Sequence, residues 1–127
     1  MQDKSLFEYA VIRVVPKVER EEFLNVGVIL FCPSQKFLQA KFRVNEQRLC
    51  SFAAEIDMTE LRNNLEAFAQ ISLGVNPNSP IAKLDMASRF RWQTATRSTV
   101  LQTSKVHPGF CSSPAETLEK LFKELVI

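Results

Sequence analysis

Long apolar runs, glycine, histidine and paired cysteines are all scarce in this chain of 127 residues, and each scarcity excludes something. The longest apolar run, residues 26–32, is far shorter than the ~20 residues of a membrane-spanning helix. The opening residues, Met-Gln-Asp-Lys-Ser, lack the apolar stretch of a secretion signal. Three glycines and six prolines exclude collagen-like and linker-like chains, and no glycine-rich phosphate loop is present. Cys32, Cys50 and Cys111 are odd in number and widely spaced, which suits neither a disulfide framework nor a zinc site. With His107 as the one histidine, metal binding has little support and no cofactor is expected. The expectation is a cytoplasmic protein with no membrane association. Its thiols should be reduced and dispensable, and Cys50 should pack on the apolar side of its helix.

Acidic residues are also missing from one long stretch. Sixteen Lys and Arg against fourteen Asp and Glu give only +2, too little to imply a nucleic-acid protein. Residues 76–127, however, hold seven bases and four acids, and nothing acidic lies between Asp85 and Glu116. Arg89, Arg91, Arg97 and Lys105 fall inside that gap.

What is present reads as a soluble globular chain, 46% hydrophobic and 24% charged, expected to form a single domain over residues 1–127. Residues 9–15 are β-branched and apolar apart from Arg13, and predict a buried strand ending at Pro16. Residues 17–22 form a charged connection, either an extended turn or one helical turn. Residues 23–32 predict a second strand, in which Gly27 marks a bulge or a close backbone approach. Residues 37–44 alternate with period two, completing an antiparallel meander.

The period then changes. Leu49, Phe52, Ala53 and Ile56 predict a helix starting near Asn45. Leu61, Leu65, Phe68 and Ser72 predict a second, which Thr59 can cap, with Asp57 just before a helix whose end it can serve and Gly74 as the stop. Residues 90–95 and 99–103 read as short strands, and residues 105–112 as irregular. Ser113, Pro114 and Glu116 form a capping box with proline in the first turn. The following stripe of Leu118, Leu121, Phe122, Leu125 and Val126 predicts a helix docked on the sheet. The expected fold is α+β: an antiparallel sheet of four to five strands with three helices mainly on one face.

The segment from Arg89 to Thr99 interleaves arginine with Phe90, Trp92 and hydroxyls, and Gln102, Ser104, Lys105 and His107 follow. Arginine forks and hydroxyls suit phosphate or carboxylate, and Trp92 suits stacking. The bland counterpart is a solvated edge strand whose arginines pair with glutamates elsewhere. His107 has Cys111 four residues on and Ser98 nine back, the raw material of an activated nucleophile, but no orienting acid lies in the stretch. Its alternative role is to hold a loop by a bond to a backbone carbonyl. No catalytic residue is assigned.

Several segments together resemble one bacterial family, the domain of unknown function DUF3037. They are Tyr9-Ala10-Val11-Ile12-Arg13-Val14-Val15-Pro16, residues 18–28, Arg89-Phe90-Arg91-Trp92, Arg97-Ser98-Thr99-Val100-Leu101-Gln102 and Val106-His107-Pro108-Gly109. The resemblance implies a small cytoplasmic bacterial protein, often encoded beside a HipA-like kinase, and so an accessory or partner protein. It transfers no reaction. Arg13, Asn25, Gly27, Arg97, Ser98, Thr99, Gln102 and His107 match the family's recurrent motifs.

The favoured reading is a non-enzymatic binding or accessory module acting on a protein partner, such as a HipA-like kinase, or on an anionic ligand. Its candidate residues are Arg97, Ser98, Thr99, Gln102 and His107, with Arg13, Asn25, Arg91 and Trp92 as secondary candidates. One alternative is a phosphoester- or nucleotide-directed enzyme using Arg97 and His107. Another is a nucleic-acid binder through the basic stretch 89–105. The sharpest expectation is that Arg97, Gln102 and His107 gather on one surface. Arg97 and Gln102 are five apart and would face opposite sides of a regular strand, so the convergence needs a bulge or a bend between them, or Arg97 reaching in from the turn before the strand.

Overall fold

Alternation in the first strand organises the molecule. The computed structural model describes residues 4–75, 78–97 and 99–127. Strand β1 (Ser5–Val14) is the central one, beginning four residues earlier than the apolar run suggests. It pairs antiparallel with β2 (Leu24–Cys32) on one side. On the other side it is shared by β4 (Leu101–Thr103) near its C-terminal end and β5 (His107–Cys111) near its start. Strand β3 (Phe37–Phe42) pairs with the far edge of β2, which completes the expected meander and a five-stranded antiparallel sheet.

Gly27 meets both sequence expectations. The register shifts at Ile12/Arg13, where Gly27 opposes Ile12 and Asn25 opposes Arg13, so Val26 is the bulged residue. A Cβ on Gly27 would stand 2.5 Å from the Lys41 carbonyl oxygen, a clash with backbone that cannot yield. The charged connection closes as a 3-10 turn (Val18–Arg20), with Glu21 left-handed at φ 55°.

The sheet is covered on both faces. Ala10, Ile12, Val14, Ile29, Phe31 and Leu38 face α1 (Glu46–Phe52), α2 (Met58–Leu73) and α3 (Met86–Gln93), which bring in Leu49, Leu65, Phe68 and Phe90. Phe7, Val28, Leu30 and Cys32 face the other way. There α4 (Pro114–Leu125) buries Leu118 and Phe122, with Val126 just beyond its end. Residues on β1 and β2 thus alternate between two cores, which is why both strands read as nearly continuous apolar runs.

Three local expectations change. Residues 90–95 are not a strand: α3 spans Met86–Gln93, capped by the Asp85 side chain, which accepts from the Ser88 amide at 2.7 Å. Met86, Phe90 and Gln93 repeat at helical spacing and point inward, while the arginine–aromatic alternation imitates a period of two over only four residues. Residues 105–112 are not irregular throughout, because β5 forms there despite Pro108, at an edge where a missing N–H is tolerated. The second helix is capped by Asp57 rather than Thr59, the Asp57 carboxylate accepting from the Glu60 amide at 3.0 Å. Gly74 stops that helix in the left-handed region at φ 70°, as expected.

Candidate anion-binding site

The bulge and the strand register bring three sequence candidates into one row. Arg13 opposes Asn25 on β2 and Gln102 on β4, so all three leave the sheet on the face that α4 partly covers. Asn25 is drawn towards the helix: its Nδ2 donates to the Leu125 carbonyl at 3.1 Å. Gln102 stays near its own strand end, its Nε2 donating to the Thr99 carbonyl at 2.7 Å. Arg13 lies between them with its Nε buried and without a hydrogen-bond partner.

Arg97 completes the site from outside the sheet. It sits in the connection between α3 and β4 and lines, with Arg13 and Gln102, a cavity of about 360 Å³. Of the routes open to the five-residue spacing, the turn before the strand is the one used. Val15, Val18, Glu21 and Phe23 form the remaining wall.

Both guanidiniums lie over aromatic rings. The Arg13 guanidinium carbon is 3.9 Å from the Phe23 ring centroid, and that of Arg97 is 4.1 Å from the Trp92 ring centroid. Arg97 also donates to the Trp92 carbonyl oxygen. Such stacking fixes a guanidinium through its face and leaves the donors on its edge available. Burial holds both guanidiniums below their ordinary pKa, though far from losing the charge. Neither forms an ion pair among the described residues, where the pairs are Arg20–Glu22, Lys41–Glu119 and Arg62–Glu46. Two partly desolvated cations in one cavity, with exposed Glu21 as its acid, make a place where an anion gains more than it does in water.

The other candidates distribute differently. His107 does not join this cavity. It opposes Tyr9 on β1, their rings 5.3 Å apart, and Tyr9 is four residues before Arg13, roughly 13 Å along a strand. The convergence expected of Arg97, Gln102 and His107 thus holds for the first two only. Its reason is that Val106-His107-Pro108-Gly109 continues into β5 instead of folding back. Gly109 belongs to that strand because a Cβ there would stand 2.6 Å from the Phe7 ring. Ser98 lies outside the described residues. Thr99 is exposed and donates its hydroxyl to the Leu101 carbonyl at 2.7 Å. Arg91 is exposed on α3, apart from the cavity wall.

Sequence reasoning missed Phe23, and named Ser104 only as a hydroxyl following the arginine segment. Phe23 is an exposed aromatic, and the signal available in the sequence is its place directly after the charged turn, two residues before Asn25. Ser104 is buried between β4 and β5, its Oγ accepting from the Val11 amide at 2.8 Å and donating to the Lys105 carbonyl at 2.9 Å. It carries β1 across the gap between its two partner strands and so keeps Gln102 opposite Arg13.

Among the described residues no helix is long and apolar enough to cross a membrane, and no group of His, Cys, Asp and Glu is arranged to hold a metal ion. A family model described as Protein of unknown function (DUF3037) matches residues 9–126, and the chain belongs to that family. No curated protein and no solved structure matches it.

Proposed function

We propose, from membership of the DUF3037 family as premise, that this chain is a binding module that receives an anionic group between Arg13, Arg97 and Gln102. The observation that carries this reading is the pair of arginines stacked on Phe23 and Trp92 without a counter-ion among the described residues. Structural arginines of a fold usually pair with carboxylates, because a partly buried charge left alone costs stability. Here the cost is kept, and both arginines line one cavity. The enzymatic alternative pairs Arg97 with His107 as acid or base, and the two stand on separate parts of the sheet face. Binding without chemistry therefore suits the arrangement better. The protein partner implied by the family resemblance, a HipA-like kinase, is one carrier of such an anionic group.

Trp92 is the only tryptophan, and its ring contacts Arg97, so its fluorescence reports on the site. Titration with inorganic phosphate, and separately with succinate, should give a saturable change in emission. Arg13→Ala leaves the Trp92–Arg97 pair intact and should weaken binding by about tenfold or more, the loss expected for a charged hydrogen bond. Arg97→Ala should do the same in calorimetry while the melting temperature stays within a few degrees. Equal affinity in the wild type and Arg13→Ala would overturn the reading.

A further inference from the structure

Arg97 also lines a second, larger cavity on the helical side of the connection, about 670 Å³ in volume. That cavity runs along α2 past Asn64, Phe68 and Ile71, with Trp92 and Val100 on its opposite wall. A third cavity, about 200 Å³, shares Glu60, Asn64, Val100 and Leu101 with it and continues to Glu55 and Asp57. The two form one groove beside α2 from Asp57 to Ile71. At 1.5 Å per residue that is about 21 Å, the span of roughly six residues of extended chain.

The groove is apolar in the middle and opposite in charge at its ends. Phe68, Ile71 and Leu61 form its floor, and two of its wall residues, Trp92 and Val100, are 41% and 45% exposed despite their size. One end carries Arg97 and opens towards the two-arginine site. The other carries Glu55 and Asp57, with Glu60 where the two cavities meet. The positive end of the α2 dipole lies there too, but it amounts to about half a charge and is outweighed by three carboxylates.

We infer that this groove docks an extended segment of a partner protein, oriented with an acidic residue at Arg97, apolar side chains over Phe68, Ile71 and Val100, and a basic residue at Glu60. The inference deepens the proposed function and rests on it, since the acidic residue is the anion that Arg97 shares with Arg13. The commitment to a peptide follows from the groove's length and from its charge pattern, which a single anionic group cannot complement. Exposed Trp92 and Val100 supply the desolvated centre that interfaces need, and the charges at the ends fix direction more than they add affinity.

The test is selection of a random twelve-residue peptide library on the full chain, with a parallel titration of inorganic phosphate. Enriched peptides should carry an acid, an apolar spacer of two to four residues and a base. Val100→Asn, which adds polarity without charge beside Arg97, should weaken those peptides by about tenfold while leaving phosphate affinity unchanged. Glu60→Lys should replace the base of the enriched pattern by an acid. No enrichment, or enrichment of a pattern indifferent to both substitutions, overturns the inference, and phosphate binding in that same experiment leaves the anion-site reading standing. Loss of phosphate binding with the peptide pattern kept does the reverse. Self-association abolished by Val100→Asn, with no peptide enriched, assigns the groove to a second copy and also overturns the inference.

Discussion

Ser104→Ala removes one oxygen from the point where β1 changes partners. The Val11 amide donates to that oxygen at 2.8 Å, and the Ser104 amide donates back to the Val11 carbonyl at 2.8 Å. Both residues are 7% exposed, so no bulk water replaces the hydroxyl. The variant leaves a central-strand N–H buried and unpaired, which costs about 1–3 kcal/mol. The Lys105 carbonyl loses its donor as well, but Lys105 is exposed, and hydration offsets that loss. For a domain of this size each kcal/mol lowers the melting temperature by roughly 4 °C, so a fall of about 4–12 °C is expected. Urea unfolding followed by Trp92 fluorescence measures the midpoint, and hydrogen exchange should show the Val11 amide losing protection. Ser51→Ala, at an exposed position on α1, should stay within about 0.5 kcal/mol and serves as control. If Ser104→Ala unfolds at the same urea concentration as this control, the hydroxyl is not part of the ladder and the reasoning fails.

The α4 helix should lose stability unevenly along its apolar stripe: Phe122→Ala, at a buried ring, by about 3–5 kcal/mol, and half-buried Leu121→Ala by less than the roughly 2–5 kcal/mol of a fully buried leucine, both read from denaturation midpoints. Thiol labelling of the native chain should give one fast site, exposed Cys50, with buried Cys32 and Cys111 reacting only on unfolding. Cys111 should be slowest, because burial raises its pKa and suppresses the thiolate. Asp85 is held below the ordinary carboxylate pKa chiefly by its hydrogen bonds with Ser88, so it stabilises α3 above the usual carboxylate range and loses that effect as pH falls through its lowered pKa. Asp85→Ala should accordingly lower the melting temperature at pH 7 and make little difference near pH 2.

The sequence made the meander, α2 and α4 legible for a physical reason. Their signals are long, and caps and periodicity agree, as at Ser113 with Glu116 and at Gly74. It misread α3 because Arg89-Phe90-Arg91-Trp92 alternates over four residues, where a two-residue and a helical period look alike. The decisive inward residue is Gln93, buried with its Nε2 donating to the Phe68 carbonyl at 2.7 Å, and a polar residue gives no apolar signal. Cys50 was assigned to the apolar side of α1 and is exposed, because α1 stops at Phe52 and buries one residue, Leu49, against the sheet. Strand β5 was hidden by Pro108 and Gly109, which read as a turn until Phe7 is known to lie beneath Gly109.

The candidate site was legible as residues but not as a place. The acid-free stretch looked like one basic surface, yet its cations serve different elements. Arg89 donates to the Leu84 carbonyl at 2.6 Å and to the Ser72 carbonyl at 3.5 Å, tying the end of α2 to the start of α3. Arg91 lies exposed on that helix and Lys105 follows β4. Arg97 alone among the four lines the cavity with Arg13 and Gln102. What the missing acids accomplish is local: Arg97 has no carboxylate on its own connection, and the acids that share its cavities, Glu21 and Glu60, come from other segments. Arg13, more than eighty residues away in sequence, arrives by strand register alone, set by the Val26 bulge on one side and Ser104 on the other. A one-residue slip at either would turn Gln102 or Asn25 to the opposite face of the sheet and dissolve the row. The site therefore depends on two structural residues that carry no charge and touch no anion.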